Sequence, residues 1–174
     1  DGLEAHLFRK KVKNLTLRVK PPDGHLEISA PLRFPLSDIE SFVISKRKWI
    51  DRKRKEIAKS PQSIAANASK EDIEQWRSLI KAFAPLLIEK WEPIIGVKSS
   101  KLDYRNMKSR WGSCQPSTGR ICLNIRLALY PPECLEYVVV HELCHLRERG
   151  HGPAFKALMD SYLPNWKAIR KKLN

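Results

Sequence analysis

The stretch that decides the fold is residues 141–151, His-Glu-Leu-Cys-His-Leu-Arg-Glu-Arg-Gly-His. Two histidines four residues apart lie on one face of a helix, so His141 and His145 can bind the same cation. Glu142 lies one step around that helix, where its carboxylate can take a proton from a water that the cation activates. His151 follows the second histidine and supplies a third imidazole. The pattern predicts a hydrolytic site with one zinc ion, His141, His145 and His151 as ligands, and Glu142 as catalytic base.

The residues that flank this motif predict the helix that carries it. Pro131 and Pro132 suit a first helical turn, and Glu133 suits its positive end. The apolar run at 138–140 predicts a helix that is buried on more than one side. Gly150 predicts the stop, because glycine readily takes the left-handed conformation that ends a helix.

Two acidic residues compete with His151 as the third ligand. Glu148 lies at i+7 from His141 on the same helical face, but seven helical residues span about 10.5 Å, which one tetrahedral ion does not easily bridge. Asp160, on the next predicted helix, is a weaker alternative. The sequence therefore favours His151 and leaves both carboxylates as alternatives.

Several segments resemble one known family. They are 109–114 (Ser-Arg-Trp-Gly-Ser-Cys), 121–127, Pro131-Pro132, 137–146 and 151–155 (His-Gly-Pro-Ala-Phe). Together they resemble the YgjP-like metallopeptidase-domain family, which is similar to the SprT-like and WLM zinc peptidases. The resemblance runs from about residue 100 to the end of the chain and is looser before it. It implies a zincin-type domain with His141, His145 and His151 as zinc ligands and Glu142 as catalytic base, and it implies no particular substrate.

The chain departs from the long-consensus zincins at two points. Those proteins carry glycine three residues after the second histidine, where this chain has Glu148. Met159 lies within a predicted helix and is expected to pack in the core, so no methionine turn is evident. The sequence therefore gives no reason to place the chain among the metzincins.

The expected fold class is α+β: the helix of the histidine motif lies against a small mixed or antiparallel sheet, preceded by a β-hairpin and helices. Strands on either side of Pro21-Pro22-Asp23-Gly24 form the hairpin, and residues 6–12 add a third strand. Ser37-Asp38-Ile39-Glu40 is a capping-box pattern that predicts a helix to about residue 58. Residues 60–68 have linker character, so we expect an N-terminal subdomain over 1–62 and the metallopeptidase domain over 63–174.

In the second half, the spacing predicts a helix over about 70–91 that Pro85 kinks, then strands at 101–107 and 119–127 and helices from Pro153 and Pro164. The apolar stripe of the first helix is Ile73, Trp76, Ile80, Phe83, Leu87 and Trp91. We expect an extended substrate to add as a further strand along 119–125, at a sheet edge beside the zinc helix.

Composition limits the class of protein. The chain has 174 residues, of which 42% are hydrophobic, and this suits a folded core. Its four cysteines form no C-x-x-C pair, so reduced thiols and a cytoplasmic location are expected. No apolar run approaches the roughly 18–20 residues that span a bilayer, so no membrane span is predicted.

The net charge of +14 favours anionic partners. The basic residues concentrate in 9–20, 46–59 and 167–172, and Trp49 within the second segment could stack on bases or pack as a helix face. Beside a cytoplasmic zinc peptidase with a protein or peptide substrate, two alternatives therefore remain. One is a nucleic-acid-associated protease of SprT-like type, and the other is a basic DNA-binding module whose zinc is structural.

Arg110, Arg120, Tyr104 and Tyr130 are candidates for stabilising an oxyanion, and the sequence does not choose among them.

Overall fold

Two small mixed sheets with accompanying helices give the chain the α+β architecture that the sequence predicts. The computed structural model describes residues 2–173. It divides into two units, one up to Asn67 and the other from Ala68 onward. Within residues 2–173, no helix is both long enough and apolar enough to cross a membrane.

The first unit contains a three-stranded sheet of order β1-β3-β2, with β1 at Ala5–Lys10, β2 at Thr16–Lys20 and β3 at His25–Pro31. β3 pairs antiparallel with β2, as the hairpin pattern predicts, and parallel with β1. Gly24 allows the tight turn because its φ is +76°. Alternate residues of β3 point into the core of this unit, where Leu26, Ile28 and Ala30 are buried.

Three helices complete the first unit, and the single predicted helix to residue 58 is wrong. The structure has α1 at Leu36–Ser45 and α2 at Arg47–Ala58. Lys46 leaves the helical conformation, and the Ser45 hydroxyl donates to the Phe42 carbonyl at 2.7 Å, which competes with regular helical bonding.

The expected capping box at Ser37 is also wrong, because the N-cap of α1 is Pro35, two residues earlier, and it provides no side-chain cap. The expected linker contains a third helix, α3, at Pro61–Ala66. Ser60 caps α3 by accepting from the Ser63 N–H at 3.3 Å.

The second unit opens with a long helix, α4, at Lys70–Ile95. A capping box between Ser69 and Asp72 starts it, and Gly96 with φ +74° ends it. The predicted apolar stripe is wrong at Phe83, which is 55% exposed, whereas Ala84 is buried. The buried positions advance by four residues from Trp76 through Ile80 to Ala84, and Phe83 falls off that line.

The sheet of the second unit has the order β4-β6-β5, with β4 at Lys101–Arg105, β5 at Gly112–Gln115 and β6 at Arg120–Asn124. β4 is parallel to β6, and β5 is antiparallel to it. The prediction missed β5 and extended the last strand too far, because a short 3-10 helix at Ile125–Leu129 follows Asn124. The Asn124 side chain causes this change by accepting from the Arg126 N–H at 3.1 Å.

Helices α5 at Pro132–Cys144, α6 at Pro153–Tyr162 and α7 at Trp166–Lys172 follow the sheet. α5 is buried on several sides, as its apolar run predicts, and packs with α4, the sheet, α6 and α7. Cys144 and Met159 are fully buried, as expected of core residues. The core of the second unit therefore surrounds α5 and fixes the helix that carries the histidine motif.

Candidate metal centre

The three histidines of the motif converge on one point. His141 lies in the last turn of α5, and His145 caps that helix, so their Nε2 atoms lie 3.2 Å apart. His151 lies in the following loop, and its Nε2 is 3.1 Å from that of His141 and 3.2 Å from that of His145. The structure thus brings together all three residues that the sequence singled out as ligands.

The loop that returns His151 differs from the prediction. α5 ends at Cys144, well before Gly150. The Leu146 N–H donates to Leu143 and the Arg147 N–H to Cys144, and these i→i+3 bonds tighten the chain out of the helix. Gly150 does not have positive φ, so its predicted role as a left-handed helix stop is wrong.

The spacing of the three nitrogens suits a small cation. A tetrahedral ion with bonds of about 2.0–2.1 Å places its ligand atoms roughly 3.3–3.4 Å apart. The observed separations of 3.1–3.2 Å are close to that value. No cysteine or carboxylate among residues 2–173 joins this group, so the described chain offers three ligands to one ion.

A hydrogen bond orients the ring of His145, and burial keeps the ring of His141 neutral. His145 Nδ1 lies 3.0 Å from the Glu148 carbonyl oxygen, so its N–H donates there and Nε2 is the ring nitrogen that faces the other two histidines. Burial, with the nearby His145 and His151, lowers the pKa of His141 to about 3, so this ring is neutral. The Phe155 ring lies 4.5 Å from that of His145 and fixes its orientation.

Glu142 lies beside the histidines with its carboxylate enclosed. Burial raises the pKa of Glu142 to about 8, against the opposing charge of Arg110. Gly112 at the start of β5 makes room for this side chain, because a Cβ there would lie 2.5 Å from Glu142 Oε1. A carboxyl with a pKa near neutrality is suited to accept a proton from water, and a nearby cation would lower that pKa.

The two alternative third ligands lie elsewhere. Glu148 offers its backbone carbonyl to His145, and its side chain does not belong to the histidine cluster. The Asp160 carboxylate accepts from Trp166 Nε1 at 2.7 Å and pairs with Lys167 at 3.2 Å. Neither carboxylate is arranged as a ligand.

Two cavities meet at the histidines. The first, which we call the strand cavity, has a volume of about 430 Å³ and is lined by β5 and the turn after it, together with the three histidines. The second, which we call the aromatic cavity, has a volume of about 620 Å³. Its wall includes Tyr137, Phe155 and Trp166. Glu142 lines both cavities, so a molecule that extends from one to the other passes the candidate catalytic group.

The predicted place for a substrate strand is wrong. Residues 120–124 form β6, which is hydrogen-bonded to β4 on one side and to β5 on the other. β5 is an edge strand of this sheet, and it packs against α5. Within the described residues, therefore, β5 and not β6 offers a free edge beside the histidines.

Of the four candidate oxyanion donors, only Arg110 lines a cavity that Glu142 also lines. Arg120 binds Asp103 at 2.7 Å, and the Tyr130 ring packs on Trp111 at 4.8 Å. Tyr104 lies outside both cavities.

Sequence reasoning missed Lys156 and Arg170, which line the aromatic cavity from α6 and α7. Lys156 is the one basic residue of α6, and Arg170 is one of several in the basic α7, so neither position carried a signal of this. It also passed over Cys114, which lines the strand cavity; burial and the nearby Glu142 raise the pKa of Cys114 to about 11, so it remains a neutral thiol.

Comparison with known proteins gives one family, and two of the similar solved structures are metallopeptidase zymogens. The sequence pattern of the family described as "YgjP-like, metallopeptidase domain" matches residues 13–77 and 61–174. The crystal structure of the metallopeptidase zymogen of Pyrococcus abyssi abylysin is 22% identical with a TM-score of 0.48, and the match covers 52% of this chain and 90% of that one. For the metallopeptidase zymogen of Methanocaldococcus jannaschii jannalysin the values are 21%, 0.46, 52% and 92%. No curated protein matches the chain.

Proposed function

Since the chain belongs to the YgjP-like metallopeptidase-domain family, we propose that it is a zinc-dependent peptidase that uses Glu142 as general base. The observation that carries this proposal is the convergence of three imidazole nitrogens within 3.1–3.2 Å of one another. Histidine nitrogens in this number and spacing suit zinc, and three protein ligands leave one position for water or substrate.

The residues around the site divide the proposed reaction between them. His141, His145 and His151 would hold the ion, which when bound would supply the Lewis acidity that polarises the scissile carbonyl and acidifies a water. Glu142 would take the proton of that water during its attack and pass it to the leaving nitrogen. Arg110 is the candidate that supports the negative charge on the carbonyl oxygen, since it lines the same cavity as Glu142.

The substrate in this proposal is a protein or peptide in extended form. Its backbone would pair with the free edge of β5, which places successive side chains alternately on the two sides of the added strand. Because β5 packs against α5 and the strand cavity contains the three histidines, this placement brings a peptide bond close to Glu142.

A comparison of three variants tests the proposal. We expect about one zinc per wild-type chain and per Glu142→Gln chain, and much less in His151→Ala. Glu142→Gln should lose cleavage by about 100-fold or more, because the proton acceptor is gone. His6→Ala, the same kind of change in an exposed strand, is the control and should behave as wild type. Full cleavage by Glu142→Gln would exclude a catalytic role for Glu142. Zinc retained by His151→Ala would show that another residue is the third ligand.

One observation favours the nucleic-acid-associated alternative as a second candidate. Lys48, Arg52 and Lys55 lie at helical spacing on the exposed face of α2, and none of them forms an ion pair within residues 2–173. Trp49 packs against the core of the first unit, so base stacking on it is not favoured. DNA binding that weakens with salt would support this candidate, since the logarithm of the affinity should fall with the logarithm of salt concentration by about 0.9 for each phosphate that the protein neutralises. Unchanged binding after all three residues are replaced by Gln would exclude this face.

A further inference from the structure

Three cationic side chains surround the aromatic cavity. Arg110 comes from the segment between β4 and β5, Lys156 from α6 and Arg170 from α7. All three are exposed residues that are far apart in the sequence, and the fold brings them to one cavity. In the part of the chain that the structure describes, none of the three side chains forms an ion pair or a hydrogen bond, whereas the neighbouring Lys167 and Lys172 are both paired.

The rest of the cavity wall offers almost no compensating charge. Among residues 2–173, Glu142 is the only carboxylate that lines this cavity, and that group is assigned to proton transfer. The floor consists of apolar and aromatic side chains, among them Tyr137, Phe155 and Trp166, which are at most 6% exposed. An apolar floor with several convergent cations is the kind of site that orients a ligand with an anionic end.

The strand cavity differs in this respect. Arg149 is the one lysine or arginine among the residues that line it, and small residues of β5 and its turn make up much of the remaining wall. A peptide that crosses the histidines therefore meets an excess of positive charge on one side only.

We propose that the aromatic cavity is a subsite that binds a carboxylate of the substrate, with Lys156 and Arg170 as the residues that recognise it. The proposal rests on the proposed peptidase function, since it assigns the substrate class of that site. The carboxylate can come from an Asp or Glu side chain or from a free C-terminus, because both present the same two oxygens to a guanidinium group.

The observations favour a peptide carboxylate over nucleic acid in this cavity. A volume of about 620 Å³ holds one or two side chains or a chain end. The rings of Tyr137 and Trp166 are buried, so little of their faces is free for base stacking.

Matched peptides test the proposal. One set carries Glu after the scissile bond with an amidated C-terminus, a second carries Gln in its place, and a third carries Gln with a free C-terminal carboxylate close to that bond. Cleavage is measured as kcat/KM, and binding to Glu142→Gln protein is measured by fluorescence anisotropy. We expect at least one carboxylate set to exceed the neutral set by about tenfold or more, the effect of a charge-assisted hydrogen bond.

Substitutions in the aromatic cavity should reduce the preference for peptides that carry a carboxylate. Arg170→Gln and Lys156→Gln should each reduce the preference for a carboxylate about tenfold, and Arg170→Glu should favour peptides with Lys at the same position. Lys171→Gln removes the same charge from α7 at an exposed residue outside the cavity, and it should leave the preference unchanged. Arg110 is left intact in these variants because its charge also affects Glu142.

The outcomes separate this inference from the proposed function. Equal cleavage and equal binding of all three peptide sets would overturn the carboxylate subsite and leave the peptidase proposal standing. Absence of cleavage, with carboxylate-dependent binding that Arg170→Gln weakens, would support the subsite and count against the peptidase. Competition by single-stranded DNA for the cavity tests the other outcome. If the DNA displaces the acidic peptide, and if Arg170→Gln weakens DNA binding as much as peptide binding, the cavity is a nucleic-acid contact and the proposal is wrong.

Discussion

At the scale of single residues, the contact between Gly112 and Glu142 leaves the least room for change. A Cβ at residue 112 would lie 2.5 Å from Glu142 Oε1 and 2.9 Å from its Cδ. Real Cβ atoms do not approach so closely, and Glu142 is buried, so its carboxylate has little space in which to move aside. We expect Gly112→Ala to lower peptidase activity at least tenfold while zinc stoichiometry stays near that of wild type.

Gly150→Ala is the matched control for this prediction. Gly150 lacks positive φ, and a Cβ there would meet no atom closer than 4.0 Å. This variant should keep its activity and its zinc. Loss of activity in Gly150→Ala, or normal activity in Gly112→Ala, would contradict the prediction.

Some residues around the site could be predicted from the sequence and others could not. The distance along the chain between the contacting residues explains the difference. The relation between His141 and His145 is fixed by one helical turn, so it can be read from spacing. His151 needs only a short loop to return. Gly112 contacts Glu142 across the packing of β5 on α5, and nothing local to either residue signals that contact. The same holds for Arg170, which reaches the aromatic cavity only because α7 packs on α5.

At the scale of elements, Glu92 joins the end of α4 to the segment that leads into β4. Its carboxylate accepts from the Ser99 N–H at 2.7 Å and the Ser99 hydroxyl at 2.6 Å, and Lys98 Nζ lies 2.7 Å away. Burial acts to raise the pKa of Glu92, but the hydrogen bonds from Lys98 and Ser99 outweigh it and hold that pKa below its ordinary value of 4.5. We expect Glu92→Gln to reduce the free energy of unfolding by about 1–3 kcal/mol at neutral pH.

The pH dependence of that difference follows from the sign of the shift. A carboxyl with a lowered pKa in the folded state stabilises the fold above its unfolded value, and this stabilisation is lost as the pH falls through the folded value. The difference in free energy of unfolding between wild type and Glu92→Gln should thus be largest above pH 4.5 and decrease below it. Urea unfolding of both proteins at a series of pH values from 7 to 3 measures this difference. Lys98→Gln, a change at an exposed residue, should have a much smaller effect. A gap that does not depend on pH would contradict this account.

The edge strand β5 gives a second prediction at this scale. Adjacent strands pair through the backbone groups of alternate residues, so only every second N–H of an added peptide donates to the sheet. Single N-methylation along a substrate peptide should weaken binding to Glu142→Gln protein in an alternating pattern. The intervening positions serve as the control within the same peptide. A uniform effect along the peptide would exclude strand addition at β5.

Elements with a strong local pattern were predictable, and those fixed by tertiary contacts were not. The N-terminal hairpin followed from alternation around a Pro-Pro-Asp-Gly turn, and α5 followed from its apolar run. β5 is only four residues long and carries Gly112 for a packing reason, so it has little strand character of its own. The break at Lys46 coincides with a hydrogen bond from the Ser45 hydroxyl to the Phe42 carbonyl, which residue patterns do not reveal.

At the scale of the whole molecule, the core of the second unit is built from apolar side chains and not from the histidines. α5 lies among α4, the sheet, α6 and α7, and its apolar residues from Cys134 to Cys144 are buried against them. The histidines lie at the border of this core and line two cavities. A metal in such a position contributes to stability by binding the folded state, and it does not replace a missing core.

Removal of the metal should therefore abolish activity and leave the protein folded. Binding at about 100 to 1,000 times the dissociation constant stabilises a fold by roughly 2.7–4.1 kcal/mol. We expect chelation to lower Tm by about 10 °C while far-UV circular dichroism at 25 °C keeps its helical signal. His151→Ala is the control: if it has already lost its zinc, chelator should not change its Tm. Collapse of the helical signal on chelation would instead identify a structural zinc, the alternative in which the chain is a binding module, because only a metal on which folding depends unfolds the domain when it leaves.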